Sequence, residues 1–511
     1  MSPFKVESAS PIAVAESRWT GATALLLYLA AATVLAHVLT GGRYGFQRDE
    51  LATLDDARHL AWGYVAYPPV TPFFGRLSLL LFGTSLAGFR FFAALAQAVA
   101  LVLTGLMARV LGGGRAAQVL AGLAAVPFAL GGGALMQYVS FDYVAWALVA
   151  YFTLRLLHSG DGRWWLAIGA AVGLGMLSKY AMPMLVAGLV LGLLLTPERR
   201  QLARPWIWCG GAVALLVFAP NLVWEARHHF VTLDFLRHIH ARDVGEGRAR
   251  GFLPGQLKLT LFAAPIALAG LWFYARSPAG RRYRPVAWMY LVPLVLLIVA
   301  QGRDYYLAPA YPMLYAAGAV MLMQAWRRLR PAGRWLLGPV LALALALDIA
   351  IAVAFTLPIA PPGSPWFWQA LKVNGDMHEE IGWPELVQTV ARIRDALPPE
   401  QRRGLAILGT NYGEAGAVNL YGPALGLPSA ISGVNSFWAR GYGDPPPRAE
   451  IVLGLSQSFV RSHFAACRVA AHSWNPYGVA NEETTDHPNI FVCGPPLRGW
   501  PAFWRDFRYY G

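Results

Sequence analysis

The chain has 511 residues, of which 56% are hydrophobic and only 14% are charged. Soluble proteins normally carry about 25% charged residues, so this composition excludes an ordinary soluble enzyme. The formal charge of +14 does not indicate a nucleic-acid partner, because the arginines cluster in short loops between apolar runs, as they do in the cytoplasmic loops of membrane proteins.

Repeated apolar runs predict an all-α polytopic membrane bundle of about 11 transmembrane helices. A basic loop follows every second run, which supports this assignment of the two sides. The predicted spans cover residues 20–41, 87–110, 116–136, 143–157, 164–178, 181–196, 206–224, 252–275, 285–301, 305–325 and 335–357. Residues 1–19 are expected to form a short cytoplasmic tail, and they show no cleavable signal peptide.

The first external loop, residues 42–86, places several carboxylates next to the membrane. They are Asp49, Glu50, Asp55 and Asp56. Asp55 and Asp56 are expected to lie on a solvated face. Asp49 is either a functional carboxylate or a local partner of Arg48 or of the helix start.

The end of this loop predicts a helix that lies in the membrane interface. After Tyr67-Pro68-Pro69, the run FFGRLSLLLFG is too short to cross a bilayer, and Arg76 interrupts it. The proline pair therefore marks the turn into an interfacial helix.

The last third of the chain has a different composition from the bundle. Residues 1–357 are predicted to form the transmembrane domain, and residues 358–511 a soluble α/β domain outside the cytoplasm. WPELVQTVARIRDALPPE has helical spacing, whereas AEIVLGLS and NIFVCG indicate strands. An oxidising compartment would permit a disulfide between Cys467 and Cys493 of this domain.

Charged residues of both signs fall at the outer ends of the predicted spans. They are Asp49, Glu50, Arg90, Asp142, Lys179, Arg303 and Asp304. Charges at membrane depth are costly and usually face a cavity or a partner. A carboxylate could act as a general base, and Lys or Arg could hold a phosphate. Each residue also has a structural interpretation, as a helix cap for Asp142 or as an interfacial anchor for the cations.

The motifs that would indicate a metal site are weaker. The histidines at positions 228, 229, 238 and 240 lie in a polar loop without thiol partners. His378-Glu379-Glu380 lacks the second histidine of a metalloprotease motif. No metal ligand is therefore assigned.

The order of these motifs resembles the GT-C superfamily of polyprenyl-phosphate-sugar-dependent glycosyltransferases. Within it, the chain is similar to the bacterial branch of the protein mannosyltransferase family (glycosyltransferase family 39), akin to the lipid A aminoarabinose and galacturonic acid transferases. The matching features are Asp49-Glu50 after the first span, Tyr67-Pro68-Pro69-Val70, Arg90, Asp142, Ser178-Lys179-Tyr180, QGRDYYLAPAYPML, and the tail segments GWPELV, NYGEAGAVNLYG and ISGVNSFW. Tyr67 departs from the family, which often has histidine there.

The resemblance implies roles for individual residues. It implies that Asp49 is the catalytic base, with Glu50 as close support and Asp142 as the second acidic position. It further implies a polyprenyl-phosphate sugar as donor. Residues expected to bind this substrate are Arg90, Lys179, Arg303, Tyr305, Tyr306 and Tyr67. Related branches differ over a divalent metal, so a divalent metal stays a possible cofactor and none is assigned.

The expected function is an inverting hexosyl- or pentosyl-transferase of a bacterial inner membrane. Its acceptor would be a lipid, a glycan or a protein at the outer face, and its other partners would be membrane lipids. A transporter or flippase for a lipid-linked sugar is the alternative. Such transporters often contain internal repeats, and the sequence shows none.

Overall fold

A computed structural model describes residues 19–511 of the chain. The cytoplasmic tail predicted for residues 1–19 therefore lies almost entirely outside the described residues. Within residues 19–511, nine helices are long and apolar enough to cross a membrane. They are Gly21–Thr40, Leu86–Val110, Arg115–Gly133, Tyr138–Ser159, Pro205–Arg227, Phe252–Arg276, Arg281–Val299, Asp304–Arg328 and Pro331–Thr356.

The eleven predicted spans differ from these nine by two short helices, Trp164–Met176 and Met182–Leu194. Each has 13 residues, which is about 20 Å of helix and less than the roughly 30 Å hydrocarbon core of a bilayer. The second bends by 113° into the short helix Pro197–Ala203, and the two together give up to ten spans. The predicted count of about 11 is thus two above the nine helices of full length, and one above the ten obtained when the bent pair counts as a span.

The first of these short helices nevertheless runs between the two ends of the bundle. The guanidinium of Arg155 lies 4.5 Å from the Trp164 ring centroid, near the last turns of helix Tyr138–Ser159. After the first short helix, Lys179 Nζ lies 5.2 Å from the ring of Tyr138, at the opposite end of the same long helix. Lys179 therefore lies at the end of the bundle where Tyr138 begins its helix.

The first external loop folds into two helices at one end of the bundle. Helix Arg48–Arg58, called here the first-loop helix, begins with a capping box between Gln47 and Glu50. Helix Val70–Phe82 follows, with Gly75 packed closely against Ala57 and Phe89. Large apolar side chains remain exposed on its other face, as an interfacial helix requires. They include Phe73, Leu80 and Leu81.

One further helix, Val231–Gly245, lies on the polar segment after helix Pro205–Arg227. The sequence predicted only a polar loop for residues 225–250. The helical order of this segment fixes the side chains of Arg242 and Asp243 described below.

The C-terminal segment contains the predicted α/β domain, with a five-stranded sheet of order β2-β1-β3-β5-β4. Strands β1, β2 and β3 are parallel, whereas β5 is antiparallel to both β3 and β4. The strands are β1 Leu405–Leu408, β2 Ala430–Ile431, β3 Ala449–Val452, β4 Arg468–His472 and β5 Asn489–Cys493. The helices of this segment are Pro365–Val373, Gly375–Glu380, Trp383–Ala396, Pro399–Arg402, Tyr412–Tyr421, Gly422–Leu425, Asn435–Trp438, Gln457–His463, Glu482–Thr485 and Trp500–Asp506.

Cys467 and Cys493 are joined by a disulfide within this domain, the pairing that the sequence left open. Cys493 is the last residue of β5, and Cys467 immediately precedes β4. The bond therefore links two neighbouring strands at one edge of the sheet.

The core of the C-terminal domain is continuous with the first external loop. One buried apolar cluster includes Leu51 and Leu54 of the first-loop helix together with Val387, Val418 and Ile451 of the C-terminal domain. Burial of apolar surface at about 25 cal/mol per Å² makes such a shared core the main attachment between the two parts. The domain is thus seated on the helix that carries Asp49.

Candidate active site

Asp49 lies in the first turn of the first-loop helix, with its side chain half-buried. Its two carboxylate oxygens accept hydrogen bonds from different parts of the chain. The Tyr412 hydroxyl donates to Oδ1 at 2.8 Å, and Gln137 Nε2 donates to Oδ2 at 3.2 Å. Asp49 forms no salt bridge within residues 19–511. Its carboxylate is therefore not taken up by a cation of the protein, which leaves it available as a general base.

Glu50 has a structural role that differs from its predicted catalytic support. It is fully buried, and Arg90 donates to it through Nε at 2.9 Å and through Nη2 at 2.7 Å. The backbone N–H groups of Met136 and Gln47 also donate to this carboxylate. With all of these donors in place, Glu50 holds the loop to the bundle and does not face an open surface.

Arg90 is likewise committed to protein partners and not to a donor phosphate. Besides Glu50, its guanidinium pairs with Glu380 at 3.2 Å and donates to the carbonyl oxygens of Gly41 and Gly45. Its side chain is 3% exposed. The substrate contact expected for Arg90 is therefore replaced by a buried network that joins the first span, the loop and the C-terminal domain.

The expectation of a solvated face for Asp55 and Asp56 was wrong. Their exposed fractions are only 1% and 4%. Arg440 of the C-terminal domain forms ion pairs with both carboxylates. Asn419 donates to Asp55, and Tyr67 donates to Asp56 Oδ2 at 2.8 Å. The polar face of the first-loop helix thus packs against the C-terminal domain and does not face water.

Tyr67 keeps one link to the candidate site through its ring. Its hydroxyl is used by Asp56, so the expected polar contact with substrate is already occupied. The ring centroid lies 6.0 Å from that of Tyr138. Tyr67 therefore supports the aromatic surface described next.

Lys179 lies against an aromatic surface at the same end of the bundle. Its Nζ is 3.8 Å from the ring centroid of Tyr306, 5.2 Å from that of Tyr138 and 5.9 Å from that of Tyr305. Attraction between an ammonium and ring faces holds the side chain without using its three N–H donors. In the described part of the chain Lys179 forms no salt bridge, so those donors remain available to an anion.

Asp142 lies one turn below Tyr138 on the same helix and is 1% exposed. Its charge acts on Lys179, and its Oδ1 has no hydrogen-bond donor among residues 19–511. The interaction with the charge of Lys179 is the contact that the structure shows, and the catalytic role expected for Asp142 stays a prediction.

Arg303 belongs to a second cationic group beside the tyrosines. It binds Asp243 through Nε at 2.6 Å and through Nη2 at 2.8 Å, and its Nη1 donates to the Tyr305 hydroxyl. The hydrogen bond to Asp243 raises the pKa of Arg303, so this guanidinium stays charged. Arg242 and Arg248 also lie 3.7 Å from Asp243. Asp243 thus lies among three arginines, of which Arg248 also pairs with Glu246 at 2.5 Å, and the group keeps an excess of positive charge.

The remaining candidate acid, Asp304, has a local role. Its Oδ1 accepts a hydrogen bond from the backbone N–H of Tyr305 at 2.8 Å. The contact orders the turn that presents Tyr305 and Tyr306 to Lys179. No further contact of Asp304 with the site is needed to explain its position.

Four contributors were missed by the sequence reasoning. Tyr138 and Gln137 follow the third predicted span in QYVSFD, Arg242 lies in the loop read as polar, and Tyr412 lies in NYGEAG of the tail. Only their neighbours in the folded chain give these residues significance. The presence of polar residues at a predicted outer loop end is the one signal that could have pointed to Gln137.

No group of three or more His, Cys, Asp or Glu side chains suited to a metal ion occurs in residues 19–511. Two of the four loop histidines have ring contacts: the ring of His228 stacks on Trp224 at 4.0 Å, and the ring of His238 lies 5.7 Å from the Tyr510 ring.

The described residues thus form a helical membrane bundle that carries a soluble domain on its first loop and presents a carboxylate beside a cationic and aromatic surface. The family model described as "Dolichyl-phosphate-mannose-protein mannosyltransferase" matches residues 66–224. The lipid A galacturonosyltransferase RgtD of Rhizobium johnstonii is 34% identical over 194 residues. That alignment covers 35% of this chain and 38% of the relative, so the chain matches well under half of the relative's length.

Solved structures support the same fold over nearly the whole chain. ArnT from Cupriavidus metallidurans bound to undecaprenyl phosphate aligns with a TM-score of 0.61 and 16% identity, covering 93% of this chain and 98% of that one. The arabinofuranosyltransferase AftD from Mycobacteria aligns with a TM-score of 0.53 and 17% identity, covering 92% of this chain and 41% of that one. These likenesses confirm the fold expected from the sequence, a helical membrane bundle with a C-terminal α/β domain, and residues 66–224 are similar in sequence to a glycosyltransferase family.

Proposed function

We propose that this protein transfers a sugar from a polyprenyl-phosphate donor to an acceptor hydroxyl, with Asp49 as the general base. The main support for the proposal is that a carboxylate and a cationic, aromatic surface lie next to each other at one end of the bundle. Gln137 donates to Asp49, and the adjacent Tyr138 forms the aromatic face beside Lys179. A proton acceptor and a cationic surface are thus joined through consecutive residues.

The reaction is a single displacement at the anomeric carbon. Asp49 accepts the proton of the acceptor hydroxyl, whose oxygen then bonds to the anomeric carbon. The bond from that carbon to the phosphate oxygen breaks, and the polyprenyl phosphate leaves with its electron pair. Attack opposite the leaving group inverts the anomeric configuration.

The cations stabilise the charge that develops on the leaving phosphate. Lys179 offers free N–H donors from the aromatic surface, and Arg303 and Arg242 supply fixed positive charge. Preorganised cations stabilise such a charge most where water is excluded. The tyrosine rings also provide an apolar and hydrogen-bonding surface for a sugar.

We further propose that the catalytic end faces away from the cytoplasm of a bacterial inner membrane. The opposite end carries the basic loops, including Arg109, Arg155 and Arg276. An excess of arginine marks cytoplasmic loops. The described relatives include a lipid A galacturonosyltransferase, so lipid A is the first acceptor to test, followed by other glycans and proteins.

The proposal is tested with purified protein in lipid nanodiscs and a radiolabelled polyprenyl-phosphate sugar. Asp49→Asn keeps the shape of the side chain and a carbonyl oxygen for Tyr412, but it cannot accept the proton. We expect turnover to fall by about 100- to 10,000-fold, with donor binding retained. Asp161→Asn, in an exposed loop, is the matched control.

The product identifies the class of protein. A new covalent glycoside supports the transferase. Movement of the donor across the membrane without any glycoside would support the flippase alternative, which no contact in the described residues favours. Near-normal turnover of Asp49→Asn would overturn the assignment of the base.

A further inference from the structure

The C-terminal domain reaches the proposed catalytic carboxylate directly. Helix Tyr412–Tyr421, called here the tail helix, begins next to the first turn of the first-loop helix. The Tyr412 hydroxyl donates to Asp49 Oδ1 at 2.8 Å. On the other side of the ring, the guanidinium of Arg48 lies 5.5 Å from the centroid of Tyr412. The phenol is thus held between two consecutive residues of the first-loop helix.

The start of the tail helix is fixed by a dense set of caps. Asn411 accepts from the backbone of Glu414, while Glu414 Oε2 accepts from the backbone N–H groups of Asn411 and Thr410. The Asn411 side chain also donates to Glu482, which pairs with Arg48. A reciprocal capping box of this kind fixes the direction in which the helix enters. Tyr412 follows it immediately and has little freedom to leave Asp49.

Close packing of the two helices fixes their separation. A methyl group added at Gly416 would come within 2.8 Å of the Leu51 backbone and side chain. No other residue fits this approach without moving the backbone. The tail helix therefore lies against the first-loop helix at a distance that only glycine permits, and the phenol reaches the carboxylate at hydrogen-bond length.

The protonation state of Tyr412 suits a donor. Burial, followed by the charge of Asp49, raises the pKa of Tyr412 above its ordinary value. The residue is therefore a neutral phenol at physiological pH, and its proton points to the carboxylate. A hydrogen bond to an ionised carboxylate favours the charged form and fixes the plane of the group.

We propose that Tyr412 is a positioning residue for Asp49, so that the C-terminal domain completes the active site. This inference rests on the proposed role of Asp49 as base. Tyr412 occupies Oδ1 and directs the remaining oxygen, Oδ2, toward Gln137 and the acceptor. The domain thus supplies a functional group to the reaction, in addition to covering the loop.

The test compares Tyr412→Phe with wild-type protein, full-length and in nanodiscs. The change removes one oxygen and keeps the ring over Arg48. We expect kcat to fall about 10- to 100-fold, with the KM for the lipid-linked donor changed less than twofold. The acid limb of the pH–rate profile should move to higher pH by at least half a unit, because the ionised carboxylate loses a donor. A loss of packing alone would not move that limb.

Tyr421→Phe is the matched control. Tyr421 is the last residue of the same tail helix, is half-buried and packs against the same apolar cluster. It is expected to retain wild-type kcat and the wild-type pH profile. If Tyr412→Phe behaves like Tyr421→Phe in both respects, the positioning role is refuted.

A double-mutant cycle in thermal stability separates this inference from the proposed function. Asp49→Asn, Tyr412→Phe and the double variant are compared by their unfolding temperatures, and the two shifts should be clearly non-additive if the residues interact. Additive shifts together with normal turnover of Tyr412→Phe would overturn the positioning role. An active Asp49→Asn would instead overturn the proposed base. An inactive Asp49→Asn with a normal Tyr412→Phe would leave the base intact and refute only the positioning role.

Discussion

Removal of Arg440 should destabilise the contact between the C-terminal domain and the first-loop helix. Arg440 pairs with two carboxylates, those of Asp55 and Asp56, that are almost completely buried. Removing one partner of a buried ion pair leaves an uncompensated charge and costs about 3–5 kcal/mol. Asn419 and Tyr67 still donate to the carboxylates, so we take the lower limit, about 3 kcal/mol.

The measurement is the unfolding temperature of the C-terminal domain in the full-length protein, followed by its tryptophan fluorescence. For a domain of this size, about 3 kcal/mol corresponds to a decrease of about 6–12 °C for Arg440→Ala. Arg498→Ala is the matched control, because Arg498 pairs with Asp506 where both side chains are more than half exposed. Exposed pairs contribute about 0–1 kcal/mol, so its unfolding temperature should change by less than about 4 °C.

The pH dependence of this variant has a definite sign. Burial raises the pKa of Asp56 to about 7, well above the value of about 3.9 in an unfolded chain. The folded state therefore holds a proton that the unfolded state has lost. Stability from this group decreases as pH rises from about 4 to about 7 and is level above that range. The defect of Arg440→Ala should accordingly be larger at pH 8 than at pH 5.

Two outcomes would refute this reasoning. Equal shifts for Arg440→Ala and Arg498→Ala would show that burial does not control the strength of the two pairs. A defect independent of pH would show that the carboxylates are not the source of the cost. Restoration of stability by adding Asp55→Asn and Asp56→Asn to Arg440→Ala would confirm the mechanism, because no buried charge remains without a partner.

Three other predictions address the site and the sheet. Lys179→Met keeps the aliphatic stem but loses one charge-assisted contact, so it should weaken donor binding about 10- to 100-fold. The measurement is the KM for the donor, and Lys372→Met, at an exposed position, is the control. Glu50→Gln should lower the unfolding temperature but leave the acid limb of the pH–rate profile in place, because Glu50 is bound to Arg90. A shift of that limb would contradict this and indicate that Glu50 takes part in catalysis. Burial raises the pKa of Glu450 to about 9, and both of its carboxylate oxygens lack a hydrogen-bond partner among residues 19–511. The stability of the wild-type protein should therefore fall between about pH 4.5 and 9, and Glu450→Gln should remove that slope and raise the unfolding temperature at pH 8. Parallel curves of unfolding temperature against pH for the two proteins would contradict this.

The sequence by itself determined the class of molecule and grouped the candidate site residues at one end of the bundle. Hydropathy identifies spans because each membrane crossing must satisfy its own backbone in an apolar solvent. Alternating basic loops then assign the ends, which placed Asp49 and Lys179 together before any contact was known. Short-range patterns likewise identified the α/β character of the tail. Helix length limited this reasoning, since two apolar runs proved to be helices of only 13 residues.

Only the tertiary structure decided which charged residues are available for chemistry. Asp49 and Glu50 are neighbours in sequence, yet Glu50 is neutralised by Arg90, 40 residues away, while Asp49 faces a phenol 363 residues away. Asp56 looked solvated because its partner, Arg440, is 384 residues distant. Local sequence cannot show which of these carboxylates is available for catalysis. The free energy of a buried charge depends on partners that only the complete fold brings into contact.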